Sequence, residues 1–524
     1  MKLLERRRAL MSGLLKFIRL ISGKPPITLE ACIDDKSTID YKLYGESVQD
    51  GTPTPEAPIE VESVGEKTIN LFDFDSITGL KQTNGGDISV YYTIENGILT
   101  NKYGRYGDGT YFVCNVTRLE AGTYTLSCNV KTSTQNHIYL QLKTPDNYIG
   151  SIRPIILNQW NRISSVITFV EDTDILGISI QGVGNSSNCT KLDIQICDIQ
   201  LELNSVATPY EPYGKYKIPV VASGKNLINL EKVSGSNITI QNGVISQNDI
   251  TKRAYIDIPV SDTGTYTLSF SSNKQRDFWM RNGQVDSGYI SHIEANELYK
   301  TFKISTLVDG YIRLDCLGTS SGYEAFVLSN IQLERSNATT DAATNYEPYI
   351  EPITTNIFLD EPLRKIGNYA DYVDFENQVV VRNIKRVDLK NANGTYTWIG
   401  KKGVIFRDAL DKWYTRNNNA LCNRNYHWTA YGDETLTMWL GVSSNGIFWI
   451  GILDYLGLTT LDEFIEWLSN NPTYVLYGSD IPTETSIELP QLPTFKGTTI
   501  YSIGTNIQPS NMEVVYYSKE RSMS

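Results

Sequence analysis

Gly122-Thr-Tyr-Thr-Leu-Ser127 occurs again as Gly264-Thr-Tyr-Thr-Leu-Ser269, 142 positions later. Around it, Ile199-Gln-Leu-Glu202 returns as Ile331-Gln-Leu-Glu334, and Tyr210-Glu-Pro-Tyr213 as Tyr346-Glu-Pro-Tyr349. Asn70-Leu71 likewise matches Asn226-Leu227. Four matches in one order, at offsets of 132 to 156, mean two copies of one domain. Within the first copy Tyr124, Leu126 and Cys128 alternate with Thr125, Ser127 and Asn129, the period-2 pattern of a half-buried strand. The runs 137–142, 165–169, 176–180 and 194–199 read the same way, with turn residues between them. Short strands at such spacing predict a β-sandwich or jelly roll. Proline in the Tyr-Glu-Pro-Tyr ends restrains the preceding residue and removes a donor, so both read as extended exits.

Working outward, the expected fold class is mainly β and multidomain. Two tandem jelly-roll β-sandwiches, residues 70–213 and 214–350, precede a C-terminal β-sandwich, 351–524, that carries one helix at 460–470. Thr460 and Glu463 form a capping box there, and Leu461, Phe464, Ile465 and Leu468 an apolar stripe. Trp467 lies off that stripe. Residues 26–69 hold a strand and a Pro-rich connector, Gln49-Asp-Gly-Thr-Pro-Thr-Pro-Glu-Ala-Pro58. At the N-terminus Leu10, Leu14, Phe17, Ile18 and Ile21 recur at helical spacing, which predicts an amphipathic helix over 1–25 for attachment or oligomerisation. A solvated tail or a membrane-surface helix are the other readings of that segment. Lys16 and Arg19 break its apolar stretch, which disfavours a signal peptide, and no later stretch approaches the length of a membrane span.

Composition narrows the chemistry. With 47 Lys and Arg against 59 Asp and Glu, the 524-residue chain has a formal charge of −12, which disfavours nucleic acid as a partner. The three histidines, His137, His292 and His427, lie far apart, and no GxSxG, P-loop or HExxH pattern occurs. Glycan hydrolysis needs a carboxylate pair, and no spacing singles one out. The expectation is that the protein is not an enzyme. Seven cysteines without a CxxC pair read as single buried thiols of a reducing cytoplasm. No cofactor is expected. A structural Ca²⁺ at acidic turns such as Asp87 or Asp108 is the one metal considered, against solvated turns.

Sugars are usually received by Trp or Tyr platforms edged with Asn, Asp, Gln and Arg. Six of the eight Trp lie between residues 398 and 467. The polar-aromatic run 413–428 is the leading contact candidate, through Trp413, Tyr414, Arg416, Asn423, Arg424, Tyr426 and Trp428. The competing reading makes Trp413 and Trp428 caps of the core and the Asn run a solvated turn. Trp439 and Trp449 read as core. In the second jelly roll Trp279, with Arg276 and Arg281 nearby and a rough match to Tyr139, is a further candidate. Trp160 and Tyr299, matched by repeat offset, are expected in the two cores.

The run 49–60 with Ser63-Val-Gly65 resembles the leader of many tail proteins of phages that infect Gram-positive bacteria. The Asn-Leu opening, the Gly-Thr-Tyr-Thr-Leu-Ser strand and the Ile-Gln-Leu-Glu and Tyr-Glu-Pro-Tyr ending resemble their carbohydrate-binding-like jelly rolls. Glu361-Pro-Leu-Arg-Lys-Ile-Gly367, Asp371-Tyr-Val-Asp374 and the helix with Asn471-Pro-Thr-Tyr-Val-Leu-Tyr477 are similar to those proteins too. The resemblance implies a minor structural protein of the virion, of tail, baseplate or fibre type. It also implies a homotrimer that joins other tail or baseplate proteins through its N-terminal region and meets host cell-wall polysaccharide. The alternatives are a glycan depolymerase and a tail or head fitting without a ligand. The motifs are architectural and carry over no binding residue.

Overall fold

The computed structural model describes residues 15–21, 27–31, 42–51, 53–103, 109–182, 193–247, 249–261, 263–273, 277–284, 289–294, 297–316, 325–336, 342–375, 377–390, 395–398, 404–407, 420–424, 438–443, 447–452, 458, 460–493, 495, 498–503 and 511–517. The fold is mainly β, with several sandwiches and, among the described residues, one α-helix. One compact unit comprises Glu66–Lys217 with Phe358–Glu361, and a second holds Met1–Gly65, Ile218–Ile357 and Pro362–Ser524.

In the first unit two antiparallel five-stranded sheets face each other. One runs Tyr148–Pro154, His137–Lys143, Gly177–Gly182, Thr110–Val113, Gly79–Gln82; the other Asn161–Phe169, Gly122–Lys131, Ile194–Glu202, Ile98–Asn101, Tyr92–Glu95. Between them Leu126, Val130, Leu140, Leu142, Ile180 and Leu201 are fully buried. The second unit repeats this strand order. One sheet runs Ser234–Ser236, Ala254–Pro259, Tyr311–Cys316, Phe278–Asn282, Tyr289–Ile293, and its partner Ile238–Gln241, Val244–Gln247, Val327–Arg335, Gly264–Ser272, Tyr299–Ile304. The two copies share details as well as order. Asn96-Gly97 and Asn242-Gly243 both have positive φ, as two-residue hairpins of this twist require. A bulge interrupts the ladder at Ser127/Asn129 and again at Ser269/Ser271, opposite Asp198 and Asn330, whose φ values are 51° and 50°.

The repeated motifs form one polar latch. Asn70 Nδ2 donates to the carbonyls of Ile199 and Glu211, and its Oδ1 accepts from the amides of Phe72 and Leu201. Gln200 Oε1 accepts from the Glu211 amide, and Glu202 accepts from the Thr208 amide and hydroxyl. Asn226, Gln332, Glu334, Thr344 and Glu347 repeat every one of these bonds in the second copy. The latch folds the chain after the last strand back over the outer face of its sheet. Thr125, expected on a solvated face, is therefore fully buried and donates to the Asn204 carbonyl of that returning chain, while Ser127, also fully buried, accepts from Arg162.

Two expectations need correction. Leu15–Ile21 is a strand, not part of a helix, and pairs in antiparallel register with Asn511–Tyr517. A short apolar run is ambiguous between helix and strand, and the deciding partner lies almost 500 positions away. Residues 1–14 lie outside the described residues. The run 49–61 is no free connector: Gln49 donates to the carbonyls of Ile59 and Cys422, and the Val61 amide to the Tyr474 hydroxyl. It belongs to the C-terminal sandwich, whose main sheet runs Lys42–Tyr44, Tyr372–Asp374, Val379–Asp388, Tyr474–Ser486, Ala420–Cys422. A four-stranded sheet, Thr395–Trp398, Val404–Arg407, Ile447–Ile452, Met438–Ser443, accompanies it. The helix Leu461–Asn470 has its capping box closed by Thr460 and Glu463. It buries Phe464 and Leu468, while Ile465 is exposed and Trp467 stacks on Phe464 at 6.3 Å.

Burial pushes the Cys128 thiol up to about 12 and the Cys114 thiol up to about 11. Both should therefore resist iodoacetamide at pH 8 in the native protein and react after denaturation. Peptide mass mapping reads this directly, and native labelling of Cys128 would contradict its placement.

Candidate functional site

The sheet of the second jelly roll that contains Trp279 turns its apolar side chains inward: Ala254, Ile256, Ile258, Phe278, Met280, Ile312 and Leu314 are buried in the core. Strand alternation puts the intervening residues on the other face. Two rows cross it in ladder register. Tyr255 faces Asp315, Asp315 faces Trp279, and Trp279 faces His292. In the next row Asp257, Arg313, Arg281 and Tyr289 stand side by side.

Ion pairs fix the floor of this face. Arg313 donates to both Asp257 oxygens, from Nε at 2.7 Å and Nη2 at 2.8 Å. That bidentate pair pushes the guanidinium pKa above its ordinary value. The same guanidinium lies 3.8 Å from the Tyr255 ring centroid. Asp315, fully buried, is held by Arg253 and has Arg281 Nε at 3.6 Å. Above the floor are rings. Trp279 is half-buried, with Tyr289 and His292 tilted against it at 5.1 and 5.4 Å, and Tyr289 is 55% exposed. His292 Nε2 is 3.7 Å from Asp277 Oδ2. Rings beside fixed, charged hydrogen-bonding groups suit a ligand with apolar faces and a hydroxyl rim.

The corresponding sheet of the first jelly roll is built differently. Its outward rows run Ser179, Gln141, Gly150 and Gly177, Lys143, Tyr148. Tyr139 also faces outward on the second strand, but these rows hold neither Trp nor carboxylate. Among the described residues the second copy alone sets a Trp beside ion-paired carboxylates on this face, which sequence signalled only through Trp279 and its neighbouring arginines.

The other predicted residues divide sharply. Trp413, Tyr414, Arg416, Tyr426 and Trp428 lie outside the described residues, as do Arg276 and Asp108; the side chains of Trp439 and Trp449 do too. Asn423 is buried and used internally: Oδ1 accepts from the Tyr474 amide, and Nδ2 donates to the Pro472 carbonyl at 3.2 Å. Arg424 donates to the carbonyls of Pro472 and Pro55 and lies over the Trp467 ring. Both residues bind the 49–61 stretch and the helix to the sheet, a task invisible in a local reading. Trp160 and Tyr299 are not core residues: they are 43% and 44% exposed. Nor are they equivalent. Ser127 and Ser269 are matched by the repeat, and they pair with Ser164 and Tyr299. Asp87 accepts from the amide and hydroxyl of Ser89, which holds its carboxyl below the ordinary range.

No protein-family model and no curated protein matches the chain. Among solved structures it has a partial likeness to the tandem CBM22-1–CBM22-2 domain of Paenibacillus barcinonensis Xyn10C, at 10% identity and TM-score 0.19 over 52% of this chain and 99% of that one. The tripod (BppUct-A-L) from the baseplate of bacteriophage Tuc2009 is similar at 16% identity and TM-score 0.21, over 52% and 99%. A triple jelly roll protein of an archaeal virus turret is similar at 12% identity and TM-score 0.13, over 92% and 98%. Scores this low carry no weight for function, and the chain is described by its own residues.

Proposed function

We propose that the protein is a structural component of a phage virion, of tail, baseplate or fibre type, that binds host wall polysaccharide without cleaving it. The sequence resemblance supports the virion setting. The observation that carries the binding role is the Tyr255–Trp279–Tyr289 face of the second jelly roll, built on ion pairs of the buried Asp257 and Asp315 that have no counterpart among the described residues of its sister module's sheet. In this reading the first jelly roll is a spacer and the N-terminal region joins neighbouring virion proteins.

The test is retention of the full chain on purified polysaccharide from Gram-positive walls. Trp279→Ala should lower retention at least about tenfold, as loss of a central aromatic contact does. Gln141→Ala, on the first module's face, should leave it unchanged. Equal retention by the two variants would sink the assignment, and release of reducing sugar would replace binding with depolymerisation. Single contacts of this kind are weak, so a homotrimer should bind far better than a monomeric form of the same chain. Size-sorted fractions compared on the same wall preparation check that expectation.

A further inference from the structure

We infer that the ligand of this face is an extended, β-linked chain of at least three pyranose rings that lies across the strands rather than along them. The inference rests on the saccharide-binding reading above. Tyr255, Asp315 and Trp279 occupy one row on three successive strands. Adjacent strands are about 4.8 Å apart, so the two aromatic residues stand about 10 Å from each other. A flat β-linked pyranose ribbon advances about 5 Å per ring, close to one strand spacing. One ring then falls on Tyr255, the next over the Arg253–Asp315–Arg281 cluster, and the third on Trp279. A path along a strand offers no such match. It leads from Trp279 to Arg281, or from Tyr255 to Asp257, and meets a single platform each time. Linkages that coil the chain would lift the third ring off the sheet.

The side chains fit these three places. Arg313 lies against the Tyr255 ring and is itself clamped by Asp257, so the ring is held in one pose. The middle place has a buried carboxylate with guanidinium groups from both sides, whose N–H groups meet hydroxyl oxygens as donors. At the far end Tyr289 and His292 are inclined to Trp279 by 58° and 47°. Neither lies parallel to the indole, so they wall the third place instead of filling it. His292 ends the row on the fourth strand, and Tyr289, 55% exposed in the adjacent row, stands beside it.

Binding of chitin-, cellulose- and xylan-derived β-1,4 oligosaccharides of two to six rings to the full chain, followed by calorimetry, tests the inference. At least one series should gain about tenfold or more in affinity from two rings to three and little beyond four. Tyr255→Ala should abolish that step, whereas Trp279→Phe, which keeps a ring, should retain it; thermal melts confirm that each variant is folded. A disaccharide that binds as tightly as a tetrasaccharide, an intact step in Tyr255→Ala, or no binding by any series would overturn the inference. Trp279-dependent retention on whole polysaccharide with a flat length profile would defeat this inference alone. Loss of neither retention nor length dependence in Trp279→Ala would defeat the binding reading as well.

Discussion

Asn226→Ala is expected to unfold the second jelly roll under conditions in which the native protein is intact. The Asn226 side chain is 3% exposed and serves four backbone groups. Nδ2 donates to the Ile331 and Glu347 carbonyls at 3.0 and 3.1 Å, and Oδ1 accepts from the Ile228 and Leu333 amides at 3.0 and 3.2 Å. Alanine leaves all four without these partners and admits no solvent to replace them. At about 1–3 kcal/mol for each unsatisfied buried group, with partial relaxation, the loss is about 4–8 kcal/mol. That is comparable with the whole stability of an ordinary domain. Urea unfolding of the full chain should show one transition moved to far lower denaturant, and Asn70→Ala should do the same to the first module. Asn226→Asp keeps the acceptor but loses both donated bonds, so it should fall between. A shift worth less than about 1 kcal/mol would show that the latch ornaments the fold without holding it.

Asp371→Ala should be nearly as severe for the C-terminal sandwich. The Asp371 carboxylate is fully buried and accepts from the amides of Asn383 and Ile384 at 2.8 Å and of Arg364 at 3.2 Å. Arg382 Nη1 completes the set at 3.3 Å. Asn383 and Ile384 sit where the ladder with the Tyr474–Ser486 strand loses register, so the carboxylate takes up amides that the bulge leaves over. Removing it leaves three amides without this acceptor and takes a charge partner from Arg382, which keeps the Pro362 carbonyl, a loss of about 3–5 kcal/mol. Asp371→Asn, which keeps one acceptor oxygen, should recover part of the loss. Thermal unfolding read by far-UV circular dichroism separates the three proteins, and near-identical midpoints would refute the assignment.

Much of this was legible in the chain because the signals are local. Period-2 alternation in Tyr124–Cys128 and the capping box at Thr460 need only a few neighbouring residues. The Asn-Gly pairs at 96 and 242 were equally available as hairpin turns, and their shared place in the two copies strengthens the repeat. What local pattern could not supply was partnership at long range. Leu15–Ile21 looks helical until its partner strand is known, and Thr125 looks solvated until the latch covers it. Trp160 and Tyr299 align by repeat offset, but a change in the intervening chain length separates them in the ladder. The contact face was half legible. Trp279 and Arg281 are near neighbours in sequence, whereas Tyr255 and Asp315 join them only through strand pairing.

The pairing of Ile27–Ala31 with Thr499–Ile503 also has a consequence in time. A ribosome that has made the first of these strands must add 467 residues before it begins the second. At about 5–20 residues per second the early strand waits roughly 20–90 s without its ladder partner. The two jelly rolls, whose partners lie within their own stretches, can close during that interval. The sheet that joins both regions of sequence therefore matures after the jelly rolls, and any neighbour that recognises it reads a chain in which both modules have already been made.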